Sequence, residues 1–201
     1  MKRHLFLSGP AFCGKSGLIR QTLGRKLQAA GGFCTELSAA EDGSLLGCSL
    51  MPAAMAGGAE GYEKELFLDL RTTPVSHDSE VFRHSGVKLL EEAVWYPFVV
   101  LDELGGIDVI IPVFRMALDS LLQSELPILG VLKTPEESDR LRRMLGPGER
   151  WHAYSERLEA QLRKDPNTEI MTIERDAASE AAEAVSAWAE TFAALPGLSN
   201  R

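Results

Sequence analysis

Hydrophobic and polar residues in the N-terminal part of the chain follow two different periods. Residues 4–8, HLFLS, form a short apolar run that stops before a Gly-Pro pair, which is typical of a buried strand. From Lys15 to Ala30 the apolar residues recur at helical spacing, which predicts a helix that Gly31 and Gly32 terminate. The predicted order at the start of the chain is therefore strand, loop, helix.

The next segment has the pattern of antiparallel strands. Residues 33–37 and 45–50 flank a polar turn at residues 41–43, so they predict a β-hairpin. Small residues then dominate residues 51–61, MPAAMAGGAEG, and this composition is typical of either a mobile loop or an ordinary linker. Residues 65–70 predict one more strand.

Two continuous apolar runs further along the chain predict strands that are covered on both faces. They occupy residues 98–101, FVVL, and residues 127–132, PILGVL. Helical patterns over residues 87–94 and 109–124 flank the first run. Because buried strands that alternate with helices form parallel sheets, these runs indicate the centre of such a sheet.

The C-terminal third is rich in charge. Residues 134–165 mix acidic and basic side chains, which predicts exposed helices with a break at Gly146-Pro147-Gly148. A strand over residues 169–173 and an Ala-rich helix over residues 177–194 follow. We expect one domain over residues 1–201, a three-layer α/β domain with a mainly parallel sheet plus the β-hairpin and a lid-like charged segment.

Net charge narrows the range of partners. The 201 residues include 21 Lys and Arg against 29 Asp and Glu, so the formal net charge is −8. Nucleic acids and anionic membranes attract a cationic face, so we expect neither as a partner. Three cysteines without metal-ligand spacing favour a reducing compartment. We expect a cytoplasmic monomer and leave open an unidentified protein partner.

The strongest chemical signal is a GxxxxGKS motif between the first predicted strand and the first predicted helix. Its backbone N–H groups would wrap a diphosphate, and its glycines allow that close approach. Lys15 would reach the β- and γ-phosphates, and the Ser16 hydroxyl would ligate Mg²⁺. The predicted nucleotide-binding residues are the motif and the glycine that follows it: Gly9, Pro10, Ala11, Phe12, Cys13, Gly14, Lys15, Ser16 and Gly17.

A second signal is the pair of carboxylates, Asp102 and Glu103, that follows the buried run at residues 98–101. In a parallel sheet the ends of such strands gather around the ligand. Asp102 is predicted to hold the hydration shell of Mg²⁺, and Glu103 to polarise the water that attacks the γ-phosphate. The simpler alternative is that the pair forms a plain helix N-terminus.

These motifs, together with two further segments, resemble the small P-loop nucleoside-triphosphatases of thermophiles, which are called cancer-related nucleoside-triphosphatases in animals. The similar segments are the phosphate loop, a Gly-Phe-x-Thr-Glu strand, an Asp-Glu-Leu-Gly block with a later Phe, and a strand that ends in Lys. They correspond to residues 9–16, 32–36, 102–108 with Phe114, and 127–133. The resemblance covers most of the chain up to Thr134 and implies a P-loop NTPase fold that is RecA/ASCE-like.

The chain also departs from the family pattern. Gly17 replaces the usual second Thr or Ser, Asp108 replaces a longer acidic residue, and Leu45-Leu46 lack a basic residue before the glycine of the hairpin. Residues 172–176, TIERD, lack an Asn of the family's last motif. These departures concern the selection of the base and the C-terminal contacts, whereas the residues for phosphate and metal are present.

The motifs predict an Mg²⁺-dependent nucleoside-triphosphatase that cleaves the β–γ bond of ATP, GTP or related nucleotides. Lys15 and Glu103 are the predicted catalytic residues, and Ser16 and Asp102 are the predicted metal-binding residues. No feature of the sequence names the base or a partner protein.

Two alternatives stay open. A small-molecule kinase would use residues 134–165 as a lid and bind its acceptor near Thr35 and Glu36. A nucleotide-dependent switch or accessory protein would dock its partner on residues 51–61.

Thr134 and a group of arginines after the second buried run are further candidates. Thr134 would either sense the γ-phosphate or serve as a plain cap at the strand end. The arginines would either neutralise transition-state charge as part of a lid or form a solvated helix face: Arg140, Arg142 and Arg143.

Overall fold

A computed structural model of the chain describes residues 1–145, 151–174 and 178–193. Within these residues, helices cover both faces of a central sheet. The α-helices, numbered in chain order, are α1 Lys15–Leu23, α2 Ala53–Ala56, α3 Val87–Glu92, α4 Pro112–Leu122, α5 Pro135–Leu145, α6 Trp151–Lys164 and α7 Ala178–Phe192. Short 3₁₀ or π segments adjoin them at Gly24–Ala29, Phe82–Gly86, Ala93–Trp95 and Ile107–Ile110.

The sheet contains eight strands in the described part of the chain. They are β1 His4–Ser8, β2 Ala30–Ala39, β3 Leu45–Pro52, β4 Glu65–Asp69, β5 Ser76–His77, β6 Phe98–Leu104, β7 Ile128–Leu132 and β8 Thr168–Thr172. Their order is β5-β4-β3-β2-β6-β7-β1-β8. The neighbouring strands β2-β6-β7-β1-β8 all pair in parallel. On the other side of β2, the strands β3, β4 and β5 follow one another in antiparallel pairs, with β3 antiparallel to β2. This confirms the predicted three-layer α/β fold with a mainly parallel sheet plus a hairpin.

Burial explains why the apolar runs form the central strands. Every residue of β1 and β7 is buried, as a parallel strand covered on both faces requires. On one face, the ring of Phe33 in β2 packs with the rings of Phe82 and of Phe114 in α4, and the ring centroids are 5.5–6.2 Å apart. On the other face, Trp188 of α7 packs against Phe98 at 6.1 Å.

The strand registers bring the two chemical motifs to the same edge of the sheet. Leu7 of β1 lies opposite Val131 of β7, Val131 lies opposite Asp102 of β6, and Asp102 lies opposite Cys34 of β2. The residues that follow these positions therefore share the carboxyl edge, where ligands of parallel sheets bind. The strand β7 separates β1 from β6, in the RecA/ASCE-like order.

The first helix is shorter than the sequence predicts. It ends at Leu23, where Gly24 takes a φ of 50°. Gly31 and Gly32, the predicted helix terminators, lie inside β2. They mark a close approach of two backbones, because a Cβ at Gly31 would lie 2.9 Å from the Cα of Ala93. The prediction of the helix end was therefore wrong.

The predicted loop over residues 51–61 is partly regular. Its first residues complete β3, and α2 follows with Ala53 and Ala54 buried. The two-residue strand β5 has no counterpart in the predictions, and the predicted break at Gly146-Pro147-Gly148 lies outside the described residues. The other predicted strands are confirmed with small shifts at their ends. None of the helices in the described ranges is both long and apolar enough to cross a bilayer.

Candidate nucleotide-binding site

The predicted phosphate loop connects β1 to α1 at the carboxyl edge. Gly9 has a φ of 147°, and a Cβ at this position would overlap the backbone oxygen of Ile173. Only glycine fits there, so the packing of the loop against the end of β8 requires the first glycine of the motif. Pro10, Ala11 and Phe12 are open to solvent, and Phe12 is 78% exposed. A ligand therefore has access to the backbone of the loop.

Lys15 is buried although it carries a charge, with only 5% of the residue exposed. Its Nζ donates to the carbonyl oxygens of Gly9 and Pro10, at 2.7 and 2.9 Å. The same ammonium lies 3.4 Å from Oε1 of Glu137 on α5. The loop thus surrounds a cation with groups that phosphate oxygens can replace.

Ser16 and Asp102 join the two motifs. The Ser16 hydroxyl donates to Oδ1 of Asp102 over 2.6 Å. Asp102 is fully buried, and this burial raises the pKa of its carboxyl to about 6, although the hydrogen bond from Ser16 opposes the rise. The sheet thus brings together the two residues that the sequence predicts as metal ligands, and that role stays a prediction.

The surroundings of the second oxygen of Asp102 show whether Ser16 and Asp102 fit a metal ion. Oδ2 is buried without a hydrogen-bond partner, and Arg20 Nη2, which donates to the Thr35 carbonyl, lies 3.6 Å away. Among the residues that the structure describes, no group of three or more His, Cys, Asp or Glu side chains could hold a metal by itself. The unpartnered oxygen of Asp102 beside the Ser16 hydroxyl fits Mg²⁺, which commonly uses one or two carboxylates and completes its shell with water and phosphate oxygens.

Glu103 lies between two lysines. Its Oε1 is 4.0 Å from Lys15 Nζ, and its Oε2 accepts a hydrogen bond from Lys133 Nζ. The peptide bond between Asp102 and Glu103 is cis. Only 18% of the Glu103 side chain is exposed. One oxygen of the candidate base thus faces Lys15 of the phosphate loop, and the other is hydrogen-bonded to Lys133.

Lys133, the last residue of the family-like segment 127–133, belongs to the candidate site although the sequence motifs assign it no role. Burial alone would lower the pKa of its ammonium, but the carboxylates of Glu103, Glu137 and Asp108 outweigh that effect and raise the pKa. The residue is therefore charged at neutral pH. The available signal is a lysine at the end of a buried strand, but only the order of the strands shows which carboxylate it meets.

A turn after β6 links the carboxylate pair to the charged helices. Asp108 accepts the backbone N–H groups of Gly105 and Gly106, at 3.0 and 2.6 Å, and burial raises the pKa of its carboxyl to about 6. The Gly105 carbonyl in turn accepts the hydroxyls of Ser138 on α5 and Ser155 on α6, each at 2.8 Å. Both helices are thereby attached to the end of β6.

Thr134 caps α5. Its hydroxyl accepts the Glu137 N–H at 3.2 Å, and its own N–H donates to Glu137 Oε2 at 2.8 Å, which is a capping box. Of the arginines predicted as alternatives for a lid, Arg142 and Arg143 pair with Asp139 on the same helix. These contacts favour the cap for Thr134 and the solvated face for Arg142 and Arg143.

The two residues proposed for a kinase acceptor have other partners. The Thr35 carbonyl accepts from Arg20 at 2.8 Å, and the Glu36 carboxylate forms an ion pair with Lys64. Both residues lie in β2 where the hairpin extends past Asp102. The structure therefore places them beside the site, with the Thr35 carbonyl and the Glu36 carboxylate already engaged.

Comparison with known proteins identifies the family. The family model described as NTPase matches residues 4–177, well over half of the chain. No curated protein and no solved structure matches the chain significantly. The matched region contains the phosphate loop, the carboxylate strand and the strand between them, and it confirms the resemblance to small P-loop NTPases. The chain accordingly belongs to the NTPase family, whose general activity is the hydrolysis of nucleoside triphosphates.

Proposed function

We propose that this protein hydrolyses the β–γ bond of ATP, GTP or a related nucleoside triphosphate in an Mg²⁺-dependent reaction. One observation carries the proposal: the Ser16 hydroxyl at the start of α1 donates to Asp102 on β6. In P-loop NTPases a serine or threonine of the phosphate loop and an aspartate of the carboxylate strand hold the same Mg²⁺, so the two side chains must lie within reach of one ion. Membership in the NTPase family supports hydrolysis in general.

Lys15 would bind the β- and γ-phosphates together with the backbone N–H groups of residues 9–16. Its ammonium would exchange the carbonyls of Gly9 and Pro10 for phosphate oxygens. Ser16 and Asp102 would hold Mg²⁺, which supplies positive charge to the phosphate oxygens when bound. Binding and the neutralisation of charge thus depend on both motifs.

Glu103 would accept the proton of the attacking water. The water oxygen forms a bond to the γ-phosphorus, and the bond from that phosphorus to the β–γ bridging oxygen breaks. The nucleoside diphosphate leaves with the electron pair of the broken bond, and the proton passes to Glu103. The products are a nucleoside diphosphate and inorganic phosphate.

A cytoplasmic location is part of this proposal, and the free cysteines agree with it. In the described residues Cys13, Cys34 and Cys48 are unpaired, and burial raises the pKa of the Cys34 thiol well above its usual range. A buried neutral thiol is inert to metals and oxidants. We include a monomeric state in the same proposal.

Two variants test the proposal through phosphate release and nucleotide binding. Lys15→Ala should lose nucleotide binding, because the ammonium inside the loop is removed. Glu103→Gln should bind nucleotide but release phosphate at least about 100-fold more slowly than the wild type, because an amide does not accept the proton. Glu91→Gln changes an exposed carboxylate of α3 in the same way and should keep wild-type turnover.

The outcomes separate the candidate functions. Wild-type protein that binds the Mg²⁺ nucleotide and releases no phosphate would contradict hydrolysis. Transfer of the phosphoryl group from ATP to a nucleoside or vitamin would support the kinase. Nucleotide-dependent capture of a partner with little turnover would support the switch.

A further inference from the structure

Lys133 contacts Glu103 from a rigid part of the fold. Its backbone N–H donates to the carbonyl of Leu104 at 2.8 Å, which continues the pairing of β7 with β6 by one residue. The next residue, Thr134, caps α5 through its hydroxyl. Because hydrogen bonds fix the backbone on both sides of the Lys133 side chain, its ammonium extends from a defined position.

The stem of Lys133 packs under the turn that follows β6. A Cβ at Gly106 would lie 3.2 Å from Lys133 Cε, and a Cβ at Gly105 would lie 3.4 Å from Lys133 Cβ. Asp108 holds this turn through the N–H groups of both glycines. The turn therefore leaves room for the lysine stem and limits the rotamers that it can adopt.

The two oxygens of Glu103 have different neighbours. Oε2 accepts from Lys133, whereas Oε1 lies 4.0 Å from Lys15 Nζ. Lys15 would not hold Glu103 in the bound state, since phosphate oxygens compete for its ammonium when nucleotide binds. Lys133 would keep its hydrogen bond to Oε2 in that state, and Oε1 would face the phosphate loop.

We propose that Lys133 is the positioning residue of Glu103: it holds Oε2 so that Oε1 accepts the proton of the attacking water. The proposal rests on the hydrolytic function proposed above, because it assigns the orientation of the base in that reaction. An unrestrained glutamate samples several rotamers, and an ion pair to a fixed lysine removes most of them. In such reactions, even a small misplacement of a reacting group strongly lowers the rate.

Steady-state phosphate release by Lys133→Met tests the proposal. Methionine keeps an unbranched stem and removes the charge. We expect kcat to fall by about 10- to 100-fold while KM stays within about threefold, because the base loses its orientation and nucleotide binding is retained. Lys133→Arg keeps a cation and should recover much of the lost kcat. Lys88→Met, at an exposed lysine of α3, is the matched control and should keep the wild-type kcat.

Combining Lys133→Met with Glu103→Gln shows whether Lys133 acts through Glu103. If it does, the double variant is no slower than Glu103→Gln alone, because the group that Lys133 orients is already disabled. If Lys133 instead acts on the phosphate directly, the two losses multiply. That result would overturn the positioning role.

Melting temperatures and nucleotide affinities separate this role from a structural one. A Lys133→Met protein with a lower melting temperature and unchanged kcat would overturn the proposal, as would one whose only defect is weaker binding. If Lys133→Met does not fold, Lys133→Gln takes its place, with the same expected loss relative to Lys133→Arg. Wild-type protein without phosphate release would contradict the proposed function itself, whereas an active wild type with an equally active Lys133 variant contradicts only this inference.

Discussion

The ionisable carboxyl of Asp102 lies at a position that solvent does not reach. Burial raises the pKa of its carboxyl from 3.8 to about 6, against the opposing effect of the Ser16 hydrogen bond. The folded chain therefore binds this proton more tightly than the unfolded chain does. The contribution of Asp102 to the free energy of unfolding becomes less favourable as pH rises from about 4 to about 6 and stays so above that range.

Asp102→Asn should remove this penalty. We expect its free energy of unfolding at pH 7.5 to exceed that of the wild type by roughly 3 kcal/mol, and the difference to shrink sharply towards pH 4, where the wild-type carboxyl is protonated. Urea unfolding of both proteins without metal or nucleotide, at several pH values, measures the difference.

The comparison has an internal control in Asp108. Burial raises the pKa of its carboxyl to about 6 as well, and the group is present in both proteins, so its contribution cancels. A stability difference that does not change with pH would show that the ionisation of Asp102 is not its cause.

Residues that lie close together along the chain were the predictable part of the site. Gly9 to Ser16 is contiguous, and Asp102 with Glu103 directly follows a recognisable apolar run. Lys133 and Arg20 become site residues only through packing: Lys133 meets Glu103 because β7 pairs with β6, and Arg20 approaches Asp102 from α1. Spacing in the sequence carries no information about such neighbours.

At the scale of elements, α5 connects the capping of a helix to the charge of the phosphate loop. Glu137 accepts the Thr134 N–H through Oε2, while its Oε1 lies 3.4 Å from Lys15 Nζ. One carboxylate thus stabilises the start of α5 and also pairs with the lysine that we propose binds phosphate. Bound nucleotide would face this negative charge across Lys15.

Glu137→Gln should separate the two effects. The amide oxygen can still accept the Thr134 N–H, but the charge next to Lys15 is lost. We expect the affinity for a non-hydrolysable Mg-ATP analogue to rise by about 3- to 10-fold, because one charge interaction in a partly buried site contributes on the order of 1 kcal/mol. Isothermal titration calorimetry measures the affinity.

Two variants on the same helix serve as controls. Glu136→Gln removes an exposed charge one residue away and should leave the affinity unchanged. Thr134→Val removes the cap and should lower stability by about 1 kcal/mol without the gain in affinity. Equal affinities of Glu137→Gln and Glu136→Gln would contradict the competition for Lys15.

The predictability of elements depends on how strongly burial constrains their sequence. The strands β1, β6 and β7 were predictable because both of their faces are covered, which requires uninterrupted apolar runs. A glycine pair has two interpretations, a helix stop or a close approach of backbones, and only the contact of Gly31 with Ala93 decides between them. The strand β5 is too short to have a pattern.

The charge of the whole molecule bears on the form in which the proposed triphosphate substrate would bind. The chain has a formal net charge of −8, and this count includes Asp102, Glu103 and Glu137, which lie beside the loop. Lys15 and Lys133 are paired with these carboxylates. We therefore expect a free triphosphate to meet repulsion, and a Mg²⁺-bound one, which carries less charge, to offer a partner to Asp102 Oδ2.

Thermal unfolding with combinations of ligands tests this argument on the wild-type protein. ATP with Mg²⁺ should raise the melting temperature most, since a ligand at 100 times its Kd stabilises the folded state by about 2.7 kcal/mol. ATP with EDTA should give a smaller rise, because repulsion weakens binding, and Mg²⁺ alone should give little. Added salt should narrow the gap between the two nucleotide conditions by screening that repulsion. In Asp102→Asn the gap should largely close, and a wild-type protein that ATP stabilises equally with and without Mg²⁺ would contradict the role of Asp102 and Ser16.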